Sequence, residues 1–140
     1  MLSKIRMVLI FTVLLFILTF SNCILFLTDS NPQVRFYNNS EYIVKIAVGK
    51  YNTSTTSFTA TRYYETTTNY STSDYGEVDS GDYYLAYQMK SGGIWTNWYV
   101  RTNTSGVPLY YNLENNKKYE VAFTNSSGSL GDGSLTISEQ

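Results

Sequence analysis

Residues 81–102 read GDYYLAYQMKSGGIWTNWYVRT, and the fold class follows from them. Tyr83, Leu85, Tyr87 and Met89 alternate with Tyr84, Ala86, Gln88 and Lys90. That is the two-residue period of a strand, whose successive side chains point to opposite faces. Ser91, Gly92 and Gly93 interrupt the pattern with residues that tolerate the positive φ of a tight hairpin. A returning strand over residues 94–102 then puts Ile94, Thr96, Trp98 and Val100 on one side and Trp95, Asn97, Tyr99 and Arg101 on the other.

The same period extends in both directions. Upstream, Val34 and Phe36 alternate with Arg35 and Tyr37 before the turn residues Asn38, Asn39 and Ser40. Val44, Ile46 and Val48 form the next inward set, with Lys45 facing water and Gly49 ending the strand. Residues 52–74 are nearly all Thr, Ser, Asn and Tyr; alternation over 57–64 and 66–70 predicts one or two strands, against the alternative of a solvated loop. Residues 77–82 form a turn cluster. Downstream, Leu109, Tyr111 and Leu113 alternate, residues 114–117 turn, Tyr119, Val121 and Phe123 face inward, and Leu135 with Ile137 make a last strand beyond the loop at 128–133. The spacing predicts an all-β fold, an antiparallel β-sandwich of seven to nine strands over residues 34–140, following an N-terminal hydrophobic export helix. Such a domain is large enough to fold around one core without a metal, and no cofactor is implied.

Lys4 and Arg6 precede a nearly unbroken apolar run from Met7 to Phe20, the layout of a secretory signal. The run reaches Ser21, Asn22 and Cys23, the single cysteine of the chain. These residues resemble the lipobox of bacterial lipoproteins, in its relaxed, spirochaetal form because Phe20 and Asn22 stand where small residues are usual. The resemblance implies a signal peptide over 1–22, lipidation of Cys23, and a tether over 23–33. It accounts for a lone thiol in an exported protein, which has no partner within the chain. Ile24, Leu25, Phe26 and Leu27 prolong the apolar run to 21 residues from Met7. At about 1.5 Å per residue that nearly spans a bilayer's hydrocarbon core, so an uncleaved signal anchor and a plain cleaved signal stay open beside lipidation.

Residues 34–40 (VRFYNNS), 79–85 (DSGDYYL) and 113–121 (LENNKKYEV) also resemble the strand starts of small envelope β-sandwich domains of unknown function. That likeness, over about residues 34–123, implies fold and no activity.

Ten Lys and Arg stand against eleven Asp and Glu, and loss of Lys4 and Arg6 with a leader would leave eight against eleven. The basic residues are scattered, so no stripe exists to track the phosphates of a nucleic acid. Histidine is absent and cysteine occurs once, which excludes Ser-His and Cys-His nucleophile systems and His or Cys metal sites. Asp74, Glu77, Asp79 and Asp82 lie close in sequence and read as solvated turn acids, with a weak calcium site or a catalytic pair as the alternatives. The Asn-x-Ser/Thr patterns at Asn38, Asn52, Asn69, Asn103 and Asn125 carry little in so Asn- and Ser-rich a chain.

The expectation is therefore a membrane-anchored cell-envelope lipoprotein, held through Cys23 and most consistent with the outer membrane. Its sandwich is a structural or interaction module and not an enzyme. The alternative is a glycan-binding or adhesive domain in which Trp95 and Tyr99 stack on a ligand while Asn97 and Arg101 supply hydrogen bonds, provided their face is open. The opposing possibility is that Trp95 and Tyr99 are packed beneath neighbouring strands.

Overall fold

The computed structural model describes residues 29–127, 129 and 132–140. The apolar leader, Cys23 and the first residues of the tether lie outside them, as do Gly128, Leu130 and Gly131 of the late loop. The described chain is all-β and contains ten strand segments: β1 (Gln33–Asn39), β2 (Val44–Asn52), β3 (Ser57–Glu65), β4 (Gly76–Glu77), β5 (Gly81–Ser91), β6 (Ile94–Trp95), β7 (Tyr99–Val100), β8 (Tyr110–Leu113), β9 (Lys118–Thr124) and β10 (Ser134–Glu139).

Two sheets enclose one core. The smaller runs β10-β9-β1-β4; the larger runs β3-β2-β5, with β6, β7 and β8 all paired to β5. Every pairing is antiparallel except one, since β1 and β9 run parallel with Phe36 opposite Val121. The sandwich is therefore mixed where the sequence predicts a purely antiparallel one. Parallel neighbours cannot be joined by a hairpin, so the whole larger sheet forms the crossover between β1 and β9. Local alternation carries no information about such a partner. Arg35 and Glu120, directly opposite across this pair, form an ion pair at 2.7 Å.

The predicted inward sets meet in the core: Val34 and Phe36 of β1, Val121 and Phe123 of β9, Val44, Ile46 and Val48 of β2, and Leu85 and Met89 of β5 are all buried. Gly49 does not end β2. It makes a bulge against β3, and the strand continues to Asn52. A Cβ at Gly49 would collide with the Thr59 carbonyl oxygen and come within 2.7 Å of the Phe58 ring, so only glycine lets β3 approach here. The Ser- and Thr-rich region holds β3 over residues 57–65, while Thr66 caps it and no strand follows over 66–70.

The crossing from β1 to β2 is pinned by buried polar side chains. Asn38 Nδ2 donates to the Tyr42 carbonyl at 2.8 Å, and Ser40 Oγ donates to Asn38 Oδ1 at 2.7 Å. Thr66 Oγ1 accepts the Val44 N–H at 2.9 Å. Each of these groups is satisfied, which is the condition for burying them at low cost.

Candidate functional site

The return strand after the Gly92-Gly93 turn decides where the candidate side chains lie. Lys90 pairs with Trp95, and Tyr87 pairs with Tyr99. Three steps along β5 thus match four along its partner, the signature of a β-bulge. Thr96 makes this possible: its N–H donates to the Met89 carbonyl, its hydroxyl accepts the Met89 N–H, and its carbonyl accepts from Gln88 Nε2 at 2.6 Å. Past the bulge the chain faces the other way. Further on, Tyr84 pairs with Tyr110, so an excursion between β7 and β8 is looped out of the same edge. Asn103 Oδ1 caps its tip by accepting the Ser105 and Val107 N–H groups. Bulge and excursion break one predicted strand into pieces, which raises the segment count to ten.

The consequence is a correction to the four-residue face. Trp95, opposite Lys90, lies on the outer side of the larger sheet, whereas Tyr99, opposite the buried Tyr87, lies on the side of the core. Asn97 sits exposed in the bulge. Only Tyr99 and Arg101 come together. Tyr99 stacks on Tyr87 at 5.2 Å and 23°, and the Arg101 guanidinium lies 5.4 Å from the centre of the Tyr111 ring. With Leu135 and Gly133 they line a cleft of about 460 Å³ between the rims of the two sheets. The Tyr87 hydroxyl accepts the Gly133 N–H at 3.1 Å, and burial pushes its phenol above the ordinary range. Tyr83 is raised too, through burial first and then the nearby Asp79 carboxylate.

Trp95 instead joins an aromatic surface on the outer face. Its ring takes the Lys45 ammonium at 4.3 Å and the Lys90 ammonium at 5.5 Å. Lys45 also pairs with Glu65 at 3.2 Å. Trp98, carried to this face by the bulge, packs on Phe58 at 5.2 Å. Along the opposite half, Tyr51, Tyr84 and Tyr110 form a row across β2, β5 and β8, with centroid separations of 5.6 and 6.3 Å. The floor of this face is made of small residues. Ala47 and Ala86 point outward by register yet are fully buried, and Gly49 lies opposite Tyr84. Small side chains at the centre let the surrounding rings lean inward over them. Tyr63 and Tyr110 nonetheless remain 58% and 61% exposed.

The four turn acids do not converge into one cluster, and Asp82 alone borders the tyrosine row, two residues before Tyr84 on β5. Among the described residues no group of three acids is placed to hold a metal ion. Asp82 Oδ1 accepts from Asn112 Nδ2 at 2.9 Å, directly across from it on β8. Phe58, Trp98, Tyr51, Tyr84 and Tyr110, together with Lys50, whose ammonium lies 3.9 Å from the centre of the Tyr83 ring, were not singled out as site residues by the sequence pattern. The outward phase of β5 did offer a signal, because Tyr84 occupies a position where a solvated face would carry charge.

A scan against protein-family models finds no match to this chain, and a search of curated proteins finds none.

Proposed function

We propose that this protein is a membrane-tethered lipoprotein of the cell envelope, anchored at Cys23, whose β-sandwich is a non-catalytic interaction module. The lipobox-like run to Cys23 supports the anchor, and Ile24 after it favours onward transport to an outer membrane. One observation supports the interaction role above the rest: the outer face of the larger sheet carries aromatic rings over a floor of alanine and glycine. A sheet face that only needed solvation would carry alternating charged and polar residues. Exposed aromatic clusters of this kind mark recognition surfaces.

Fatty-acid incorporation that disappears in Cys23→Ala tests the anchor, and protease treatment of intact cells tests the envelope location. For the module, the triple variant Tyr63→Ala, Trp95→Ala, Tyr110→Ala is compared with the parent on glycan and peptide arrays. A correctly folded triple variant that keeps every interaction of the parent removes this face from the binding role.

A further inference from the structure

The two halves of the outer face differ in chemistry, and that difference selects a ligand. The Trp95 half is built around ammonium groups, since Lys45 and Lys90 both lie against the indole. The Tyr51-Tyr84-Tyr110 half has one neighbouring cation, Lys50, and its ammonium lies over the Tyr83 ring at 3.9 Å and donates to the Asp82 backbone carbonyl. The hydrogen-bonding groups of this half are Asp82 and Asn112, a cross-strand pair next to the cross-strand pair Tyr84 and Tyr110. Four neighbouring positions on two strands thus combine two rings with a carboxylate and a carboxamide.

We infer that Tyr51, Tyr84, Tyr110, Asp82 and Asn112 form a binding site for a neutral polysaccharide chain. This deepens the interaction role proposed above by naming a ligand class and one half of the face, and it rests on that role. The apolar faces of pyranose rings stack on aromatic rings, while vicinal hydroxyls both donate and accept. Asp82 Oδ2 and the Asn112 carbonyl, which have no partner among the described residues, can accept from such hydroxyls. The second N–H of Asn112 Nδ2 can donate. The fixed Asp82-Asn112 bond pre-orients both groups, so little freedom is lost on binding.

Charge favours a neutral chain over an anionic one. The Lys50 ammonium is already engaged by the Asp82 backbone carbonyl and the Tyr83 ring, while the Asp82 carboxylate beside the tyrosine row repels a polyanion. Ring geometry narrows the class further. Tyr51 and Tyr84 are inclined by 49° and Tyr84 and Tyr110 by 60°, so the three rings share no common plane. They cannot all stack at once on a flat crystalline surface, whereas a soluble chain can meet one or two of them.

The test uses the full-length protein in detergent micelles, titrated calorimetrically with soluble linear α-1,4- and β-1,3-glucan oligomers. Polygalacturonate serves as the anionic control and microcrystalline cellulose as the flat one. The site predicts saturable binding of at least one soluble neutral glucan, with neither control bound. Tyr110→Ala, at an exposed ring whose loss leaves the core intact, should weaken binding about tenfold or more. Asn112→Ala should weaken it as well, whereas Trp95→Ala should not. Absence of binding to both neutral glucans, preference for the polyanion, or binding lost in Trp95→Ala but kept in Tyr110→Ala overturns the assignment. If the triple variant meanwhile loses array ligands of another class, the interaction role stands and only the ligand and half-face named here fall.

Discussion

Gly49→Ala provides the most searching test of how this fold builds its outer face. The added methyl would collide with the Thr59 carbonyl and approach Phe58 and the Ala60 backbone within 3 Å. Two of these three neighbours are backbone, so no rotamer change relieves the contact, and β3 must move away from β2 at the bulge. Overpacking of this kind costs about 1–3 kcal/mol. For a domain near one hundred residues, a loss of about 2 kcal/mol lowers Tm by roughly 10 °C. The movement carries Phe58 away from Trp98, so the fluorescence of the indoles should shift to the red in the folded state, before unfolding begins. Thermal melting followed by circular dichroism, with emission spectra at 20 °C, measures both effects. A variant that melts within a degree or two of the parent with an unchanged spectrum would refute the close approach of β3 and the ring arrangement that depends on it.

Other consequences are equally direct. Asn38→Ala strips the Tyr42 carbonyl and the Ser40 hydroxyl of their buried partner and should cost about 2–4 kcal/mol, read as a lower denaturant midpoint with an unchanged slope. Gly133→Ala drives a methyl into the Tyr87 and Phe123 rings and should lower Tm by several degrees, while Ser134→Ala beside it should not. Tyr83 and Tyr87 have phenol pKa values raised in the folded state, so their contribution is complete below about pH 10, the unfolded value, and is lost as pH climbs through the higher folded values. Tm should therefore decline above pH 10, and the decline should be shallower in Tyr83→Phe. Chelation by EDTA should leave Tm unchanged, and a large drop would reveal a structural metal that the residues do not foreshadow.

The alternation of apolar and polar residues determined much by itself. Val34 and Phe36, then Val44, Ile46 and Val48, then Tyr83, Leu85, Tyr87 and Met89, and then Tyr119, Val121 and Phe123 face the core because a strand's period of two puts each set on one side. Gly92 and Gly93 fixed the hairpin, with φ of 58° and 85° that other residues adopt reluctantly. Composition alone, with no histidine and one cysteine, ruled out whole classes of chemistry. What the sequence could not supply was phase and partnership between segments. Thr96 shifts the register by one residue, and in a structure of period two a single residue inverts every side chain that follows. Trp95 and Tyr99 therefore part company, Trp98 joins Phe58, and Tyr84 finds Tyr51 and Tyr110, because long-range strand pairing sets those contacts and no local pattern encodes them.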